Sequence, residues 1–416
     1  MSNSQLRQIL RRYPKLRGPL RKAYRSWQYN SAWLIGKMRQ DKLNLIEVDP
    51  QRIQHTVNQN DPSLTGNAVW HLGKVLAGDW DLNGVPVKEY DQVYQILSAH
   101  LQQQKPFAEI PQFQEKCVAI EQGQLVDSCT TSAEYLARWQ NIMALYEDIE
   151  KNGYKTQLEL GSDNPLDEIR VQIGRHGEIL FEEGLHRLAI ALHLGLSAVP
   201  ILITRRHSDW AALRMAVMKI VIQRGFIHQP FDHPDLDSLP LLYGNNLAEQ
   251  AWYGHDRWQL ISDSLPVTNG TVLDIGAYFG YFDHRLEGLG FDCFAVEPDP
   301  ENLVVLNLYR TMHNRKFTVW PTSIFEIKQF EFDIVLALNI FHHLVRTKQD
   351  YICLVDLLHH LRCRALYFEP DDNAGVKAYR QFNANEFVEF VQEHTSLTES
   401  HFLGQTKEGR PLYLLT

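Results

Sequence analysis

Long hydrophobic runs and paired cysteines are both missing from this chain. No run of about eighteen apolar residues occurs among its 416 residues, so we expect no transmembrane helix. The first residues also lack the apolar core of a secretory signal. The cysteines show no Cys-x-x-Cys spacing, which argues against a metal site and against a disulfide framework, and a cytoplasmic location is expected. They lie at Cys117, Cys129, Cys293, Cys353 and Cys363.

Acidic residues are absent from the first 40 positions, which hold ten Lys or Arg. With −9 overall and +10 in that segment, the rest of the chain carries −19, which argues against bulk nucleic-acid binding. The basic arm, residues 1–44, is interleaved with aromatic side chains. It predicts contact with an acidic partner or peripheral contact with an anionic membrane. A helix packed on the protein's own acidic surface and an organelle transit peptide are open alternatives.

The length of the chain favours two domains. The segment 229–240 combines three prolines with small and acidic residues, a composition typical of a linker. We therefore predict an N-terminal α+β domain at 45–228, a linker at 229–240 and a C-terminal α/β domain at 241–416.

The C-terminal part alternates predicted strands and helices, which indicates a doubly wound parallel sheet. Its last two strands flank Gly404–Arg410, a hairpin-like connection with Lys407 at its tip, so the last strand is expected to be antiparallel. Strands are predicted at 271–275, 291–297, 317–320, 332–337, 365–368, 400–403 and 411–415. Helices are predicted at 281–289, 300–312, 349–361 and 385–394.

One unit of this part carries the pattern of a nucleoside site. The sequence Thr271–Gly280 reads as a strand, a tight turn and a helix start, and Ala295–Pro300 ends the next strand in an acid. Gly276 and Gly280 allow the backbone to approach a ligand, and the Glu297 carboxylate can accept both ribose hydroxyl hydrogens.

The spacing of this motif also separates two classes of cofactor. A dinucleotide site requires Gly-x-Gly-x-x-Gly, whereas this chain has Tyr278 in place of the middle glycine. Asp274 adds a negative charge that repels phosphate and suits the amino group of a methionine moiety. The run resembles motif I of the class I S-adenosylmethionine-dependent methyltransferases, although Tyr278 departs from their usual glycine.

That resemblance implies S-adenosylmethionine as the cofactor and a Rossmann-like sheet with an antiparallel last strand. Asp274, Gly276 and Gly280 would hold the methionine part and Glu297 the ribose. Tyr278 would flank the methionine tail. The run Thr318–Glu326 lies where these enzymes place a polar residue against the adenine, and Ser323 is the candidate, with Trp320 or Ile324 packing on the ring.

A second run, Asp333–Leu344, resembles motif IV of the same enzymes, in which the fourth strand ends beside the transferable methyl group. Asn339 would face the cofactor, and His342 or His343 would act as general base for a hydroxyl acceptor. One of the two histidines can instead be structural. Further acceptor-side candidates follow other strands or the glycine turn: Glu369, Asp371, Asp372, Asp283 and His284.

The stretches around Gly280–Phe282 and Glu297–Asn302 are similar to FkbM-type sugar and natural-product O-methyltransferases. This implies O-methylation of a small-molecule or glycan acceptor. Two alternatives stay open: a non-catalytic S-adenosylmethionine-binding scaffold, and a nucleic-acid methyltransferase. The second lacks support in the sequence, because Asn339–His342 replaces the expected Asp/Asn-Pro-Pro-Tyr/Trp.

The N-terminal part contains Gly177–Ala191, which resembles the ParB/sulfiredoxin-like fold. There a turn at the start of a helix binds phosphate, so Gly184, His186 and Arg187 are candidates for a phosphate or nucleotide site. Leu185 stands where a sulfiredoxin needs its cysteine, which excludes sulfinate repair. Kinase chemistry is an open alternative, with base or magnesium ligands drawn from Glu182, Glu183, Asp79 and Asp81.

Overall fold

The structure, a computed structural model, describes most of the chain beyond the basic arm. The described residues are 45–58, 61, 64, 73–161, 167–224, 227–229, 231–237, 239, 254–370, 378–406 and 409–416. The chain divides after Ala211 into two compact units. The predicted arm at 1–44 and the predicted hairpin tip at Lys407 lie outside the described residues. No helix within the described ranges has the length and apolarity needed to cross a membrane.

The first unit is built on a mixed sheet centred on one buried strand. Every residue of β5 is buried, and β5 pairs in parallel with β3 and β2 and antiparallel with β1. The strands β3 and β4 form an antiparallel pair. These strands are β1 (Leu45–Val48), β2 (Lys74–Leu76), β3 (Ile169–Ile173), β4 (Ile179–Glu183) and β5 (Val199–His207).

Four helices of the first unit cover a second part of its core. Trp139 of α3 is fully buried there, in a cluster that also includes Ile190 of α4. Thr131 caps the start of α3, because its hydroxyl accepts the Glu134 N–H at 3.1 Å. The helices are α1 (Val93–Leu101), α2 (Pro111–Glu121), α3 (Ser132–Asn152) and α4 (Leu185–Leu194).

The second unit contains a seven-stranded sheet in the order β11-β12-β10-β9-β6-β7-β8. The strands β8, β7, β6, β9 and β10 run parallel, and β12 is antiparallel to both β10 and β11. The predicted parallel sheet with an antiparallel last strand is therefore confirmed. The strands are β6 (Gly270–Ile275), β7 (Phe291–Val296), β8 (Thr318–Trp320), β9 (Ile334–Leu338), β10 (Ala365–Glu369), β11 (Ser400–Gln405) and β12 (Pro411–Leu415).

Helices pack on both faces of this sheet, so its central strands are almost entirely apolar. Two separate clusters of buried side chains, one around Phe341 and Leu354 and the other around Phe282 and Leu306, cover it. The carboxyl ends of β6, β7, β9 and β10 consequently share one edge. The helices are α5 (Ser208–Arg224, across the division), α6 (Pro234–Asp237), α7 (His255–Asp263), α8 (Tyr281–Gly288), α9 (Pro300–Met312), α10 (Phe341–Leu344), α11 (Lys348–His360) and α12 (Ala384–Glu393).

The described residues of the segment 229–240, predicted as a linker, are well packed. Pro234 begins the short helix α6, and Leu236 within it is fully buried. Phe231 stacks on Phe279 of the motif turn, with ring centroids 5.3 Å apart. This segment therefore bears directly on the candidate site.

Candidate active site

The turn after β6 is anchored to the end of β7. The N–H groups of Gly276 and Ala277 both donate to the Val296 carbonyl, at 2.9 and 3.0 Å. Gly276 has a φ of +77°, and a Cβ placed on it would lie 3.0 Å from a side-chain carbon of Ile340. The backbone conformation therefore favours glycine here, and any side chain would also have to displace the end of Ile340.

Tyr278 occupies the position where glycine is usual, and it does so in the left-handed region with a φ of +56°. Its N–H donates to the Glu297 carboxylate at 2.8 Å. The ring is buried edge-to-face against His228, with centroids 5.4 Å apart. Burial raises the pKa of the Tyr278 hydroxyl above its ordinary value. The side chain is thus built into the turn, and whether it flanks a methionine tail stays a prediction.

Glu297 follows β7 and is only 5% exposed. Its two oxygens accept the N–H groups of Tyr278 and Asp299, each at 2.8 Å. Burial raises the pKa of Glu297, and these two N–H groups oppose the shift. Each carboxylate oxygen keeps a second lone pair, so the group can still accept hydroxyl hydrogens. The arrangement fits the ribose role predicted for this residue.

Asp274, near the end of β6, interacts electrostatically with Asp283 of α8. Burial raises the pKa of Asp274 to about 7, with a smaller contribution from Glu297. Burial and the Asp274 charge raise the pKa of Asp283 well above its ordinary value. Because two neighbouring buried carboxyl groups disfavour carrying a charge each, we expect the pair to hold one proton, which we place on Asp283. Asp274 is then left as the anion of the pair and suits a cationic amino group.

Gly280 precedes α8 with a φ of +79° and provides no side-chain cap. The side chain of Gln229 takes that role. Its amide oxygen Oε1 accepts the N–H groups of Phe279 and Tyr281 at 3.2 and 3.3 Å. Sequence reasoning missed Gln229, since a single glutamine some 50 residues upstream carries no pattern.

Asn339 and Ser323 lie in two further loops of the second unit. Asn339 directly follows β9 with a φ of +56°, and its N–H donates to the Glu369 carbonyl at 3.3 Å. Its side-chain oxygen has no hydrogen-bond partner among the described residues, so it can accept from a ligand. Ser323 accepts the Phe325 N–H at 3.4 Å and so begins a single helical turn beside the buried Ile324. Both roles in cofactor binding stay predictions.

His342 and His343 are adjacent in α10 but differ in environment. Their ring centroids lie 3.9 Å apart, with His342 buried and His343 exposed. Burial, followed by the charges of His343, Arg346 and Arg410, lowers the pKa of His342 to about 3. His342 is therefore neutral at physiological pH and a weak proton acceptor, whereas His343 is open to an acceptor from solvent.

Two of the acceptor-side candidates hold internal contacts instead. Glu369 is buried and forms an ion pair with Arg257 of α7, with both nitrogen–oxygen distances 2.8 Å. This bidentate pair fixes α7 to the end of β10. His284 packs against Tyr309 and Phe317, and burial lowers its pKa to about 3. Neither fits a role in contacting an acceptor, and Asp371 and Asp372 lie outside the described residues.

In the first unit, Gly184, His186 and Arg187 line one cavity of about 940 Å³. Gly184 precedes α4 with a φ of +97°, and Arg187 is hydrogen-bonded to the carbonyl and carboxylate of Asp167. Burial lowers the pKa of His186, so this side chain is neutral rather than a charged donor. The carboxylates of the cavity outnumber its two arginines, Arg138 and Arg187. They belong to Asp91, Asp127, Glu134, Asp167, Glu182 and Glu183.

The four acids considered as kinase residues already have partners. Glu182 accepts from Gln172 at 3.1 Å and from Thr204, and Glu183 pairs with Arg170. Asp79 and Asp81 both bind Arg175, at 2.7 and 2.8 Å. These acids thus stabilise the first unit, and any catalytic role would require their release.

Comparisons with known proteins return methyltransferases for part of this chain. A curated relative, the tRNA U34 carboxymethyltransferase of Dichelobacter nodosus (strain VCS1703A), is 29% identical over 118 residues, covering 26% of this chain and 38% of that protein. No protein-family model matches the sequence.

Among solved structures, the bifunctional kinase-methyltransferase WbdD aligns at 19% identity and a TM-score of 0.37, over 48% of this chain and 46% of its own. The N-methyltransferase NodS from Bradyrhizobium japonicum WM9 aligns at 14% identity with a TM-score of 0.33, and the alignment covers 39% of this chain and 94% of NodS. The magnesium protoporphyrin IX methyltransferase ChlM of Synechocystis PCC 6803 was solved with bound S-adenosylmethionine. It aligns at 12% identity with a TM-score of 0.34, over 50% of this chain and 96% of ChlM.

The chain spans 38% of the length of the curated relative and 46% of WbdD. The strand order of the second unit and its antiparallel last strand are consistent with the Rossmann-like methyltransferase fold. None of these four proteins is described as FkbM-type or ParB-like, so those two likenesses stay predictions.

Proposed function

We propose that the second unit is an S-adenosylmethionine-dependent methyltransferase. The observation that carries this is Glu297, a buried carboxylate at the end of β7 that organises the glycine turn through Tyr278 and still has lone pairs for two hydroxyls. Gly276 and Gly280 carry no side chain and both have a positive φ, so the backbone at the two ends of that turn can approach a nucleoside. The cofactor supplies a methyl group on a sulfonium centre.

In this scheme the residues of the chain bind the cofactor and orient its methyl group. Asp274, kept as the anion of its pair by the Asp283 proton, accepts from the cofactor's ammonium group. Glu297 accepts from the ribose, and Asn339 offers its side-chain oxygen at the end of β9. Methyl transfer is a displacement that depends above all on approximation and alignment, so this positioning is the main catalytic contribution.

The acceptor atom is proposed to be an oxygen of a small molecule or glycan, as the FkbM likeness implies. His343 is the proposed general base because it is exposed beside the end of β9, whereas the buried His342 binds protons too weakly. His342 instead supports the position of His343 through the contact of their rings, which are tilted by 42° to each other.

Calorimetry and product analysis test this function together. We expect S-adenosylmethionine and S-adenosylhomocysteine to bind the full chain, and S-adenosylhomocysteine to accumulate with a hydroxylated acceptor, measured by mass spectrometry. Absence of binding would contradict the proposed function. Tight binding without product over the whole acceptor panel would favour the non-catalytic scaffold.

The nucleic-acid alternative is tested with total tRNA as acceptor, since the curated relative is named for tRNA. Methyl incorporation into tRNA that survives deletion of residues 1–40 would favour this alternative. Loss of all polyanion binding on that deletion, with small-acceptor catalysis intact, would count against it.

For the first unit we propose nucleotide binding in the 940 Å³ cavity beside Gly184, His186 and Arg187. Its six carboxylates would repel a free triphosphate, so we expect a divalent cation to accompany the nucleotide. A thermal-shift titration with magnesium and cytidine or adenosine triphosphate, repeated with a chelator, checks this. Equal shifts with and without the chelator would contradict the metal requirement.

A further inference from the structure

Arg224 contacts the loop that carries the proposed ribose carboxylate. It is the last residue of α5, and this end of the helix belongs to the second unit. Its Nη1 donates to the side-chain oxygen of Asn302 at 2.9 Å, and its Nη2 donates to Oδ2 of Asp299 at 3.0 Å. These two residues lie at the start of α9, just after Glu297. One guanidinium therefore bridges the entry to α9.

Asp299 connects this contact to Glu297. Its N–H donates to Glu297 Oε1 at 2.8 Å, and its own Oδ1 caps α9 by accepting the N–H groups of Glu301 and Asn302 at 2.9 and 3.1 Å. Both carboxylate oxygens of Asp299 are thus engaged, one by the start of the helix and the other by Arg224. The Asn302 side chain also opposes the rise in the pKa of Glu297 that burial causes. Arg224 therefore acts on Glu297 through two neighbours.

The Glu297 carboxylate is held from two sides. The Tyr278 N–H approaches Oε2 from the glycine turn, and the Asp299 N–H approaches Oε1 from the start of α9. Two donors from separate segments fix the plane of the carboxylate and hence the directions of its remaining lone pairs. Accepting two ribose hydroxyls at once requires that orientation. Arg224 is a side chain from a third segment that secures the α9 side.

The same loop concentrates negative charge. Glu297, Asp299 and Glu301 lie within five positions of one another, and repulsion between them works against an ordered loop. Arg224 offsets this charge at Asp299 and, at 3.4 Å, at Glu301. Lys219 of α5 also pairs with Glu301, at 3.0 Å, and among the described residues it has no bond to Asp299. The two cations therefore allow charge and orientation to be tested separately.

We propose that Arg224 is a positioning residue for the cofactor. Through Asp299 and Asn302 it sets the orientation of the Glu297 carboxylate, and so the affinity for a nucleoside that carries both ribose hydroxyls. The inference rests on the proposed function, because that function places the ribose at Glu297. Loss of Arg224 leaves the acid present but frees the loop between β7 and α9, so both hydroxyl contacts weaken together.

Calorimetry with S-adenosylhomocysteine and the full chain tests this role. Arg224→Gln should weaken binding on the order of tenfold, within the range for residues coupled in one hydrogen-bond network. Lys219→Gln is the matched control, because it removes a cation from the same helix and the same acidic loop but no bond to Asp299 or Asn302. It should bind as the unchanged chain does. Equal weakening in both variants, or unchanged affinity in Arg224→Gln, would overturn the proposal.

A second ligand separates positioning from a general structural role. The 2′,3′-dideoxy analogue of S-adenosylhomocysteine lacks both hydroxyls, so Arg224→Gln should bind it as the unchanged chain does. In a Glu297→Ala background, Arg224→Gln should weaken the binding of S-adenosylhomocysteine by less than about twofold, because the carboxylate that it positions is gone. Equal losses for the two ligands, or a full loss in the Glu297→Ala background, would show that Arg224 does not act through Glu297.

Arg224→Lys keeps the test usable if Arg224→Gln does not fold, which thermal unfolding checks. Lysine retains the cation but lacks the planar fork that reaches two acceptors at once. We expect Arg224→Lys to weaken S-adenosylhomocysteine binding less than Arg224→Gln does, and to leave binding of the dideoxy analogue unchanged. Equal weakening for both ligands in Arg224→Lys would count against the proposal.

Hydrogen exchange of the ligand-free chain keeps this failure separate from failure of the proposed function. The peptide that contains residues 297–302 should exchange faster in Arg224→Gln than in Lys219→Gln, and equal exchange would contradict the positioning role. Cofactor binding that Arg224→Gln does not change contradicts this inference alone. Faster exchange without any binding of S-adenosylmethionine or S-adenosylhomocysteine by the unchanged chain contradicts the methyltransferase.

Discussion

The Tyr278 N–H donates to the Glu297 carboxylate at 2.8 Å, and this bond joins the glycine turn to the end of the neighbouring strand. The carboxylate proposed to bind the ribose therefore also holds the turn proposed to bind the methionine part. Tyr278 accepts a left-handed conformation at this position, which is uncommon for a bulky residue. Binding and local structure are coupled through a single side chain.

Gln229→Ala should loosen the start of α8. The variant leaves the N–H groups of Phe279 and Tyr281 without their acceptor, so we expect the free energy of unfolding to fall by about 1–2 kcal/mol. Urea denaturation measures this. Gln259→Ala, which removes an exposed amide bonded only to Asp263 in α7, is the control and should change little. An unchanged stability in Gln229→Ala would show that the amide does not support the turn.

Asp283→Asn should change how stability depends on pH. The folded chain holds a proton on the Asp274–Asp283 pair, whereas both groups ionise above about pH 4 in the unfolded chain. Between about pH 4 and 7 the folded state therefore binds more protons, and this pair makes the free energy of unfolding fall as pH rises.

Asparagine at 283 keeps a donor to Asp274 and removes that titration. From pH 5 to 7 we expect the free energy of unfolding of this variant to fall less steeply than that of the unchanged chain. The two slopes should differ by up to about 1.4 kcal/mol per pH unit, the value for one proton. Asp292→Asn, on the exposed side of β7, serves as the control and should follow the unchanged chain. Parallel curves for the unchanged chain and Asp283→Asn would show that the pair holds no proton.

Substitution of the two histidines of α10 should have different effects on kcat. His343→Ala is expected to lower kcat by about 100-fold, as loss of a general base does, and to remove the acidic limb of the pH–rate profile. His342→Ala should mainly reduce stability, because its ring is buried. His401→Ala, an exposed histidine on β11, is the control. A full-rate His343→Ala enzyme would remove this residue from the mechanism.

Much of the second unit could be predicted because its signals are local. Apolar runs bounded by turns located its seven strands and four of its helices within one or two residues, whereas α7 was not predicted. The spacing of Asp274, Gly276 and Gly280 marked the turn. The short hairpin-like connection Gly404–Arg410 predicted that the last strand is antiparallel, and β11 and β12 do pair in this way.

Contacts between residues that are distant in the sequence could not be predicted. Arg257 and Glu369 are 112 positions apart, so the pair that removes Glu369 from the acceptor side carries no pattern. Gln229 likewise lies in a segment whose prolines suggested a linker. The different environments of His342 and His343 depend on packing around α10, which adjacent letters cannot show.

Calorimetric titration of S-adenosylmethionine into the Glu297→Ala variant tests the central claim most directly. Glu287→Ala removes a carboxylate on α8 that accepts the Lys316 N–H, and it provides a matched control away from the carboxyl end of β7. We expect Glu297→Ala to lose about 2–3 kcal/mol of binding free energy, equivalent to two hydrogen bonds to a charged group, with the control unchanged. Equal affinity in the folded Glu297→Ala variant and the unchanged chain would contradict the assignment of this site.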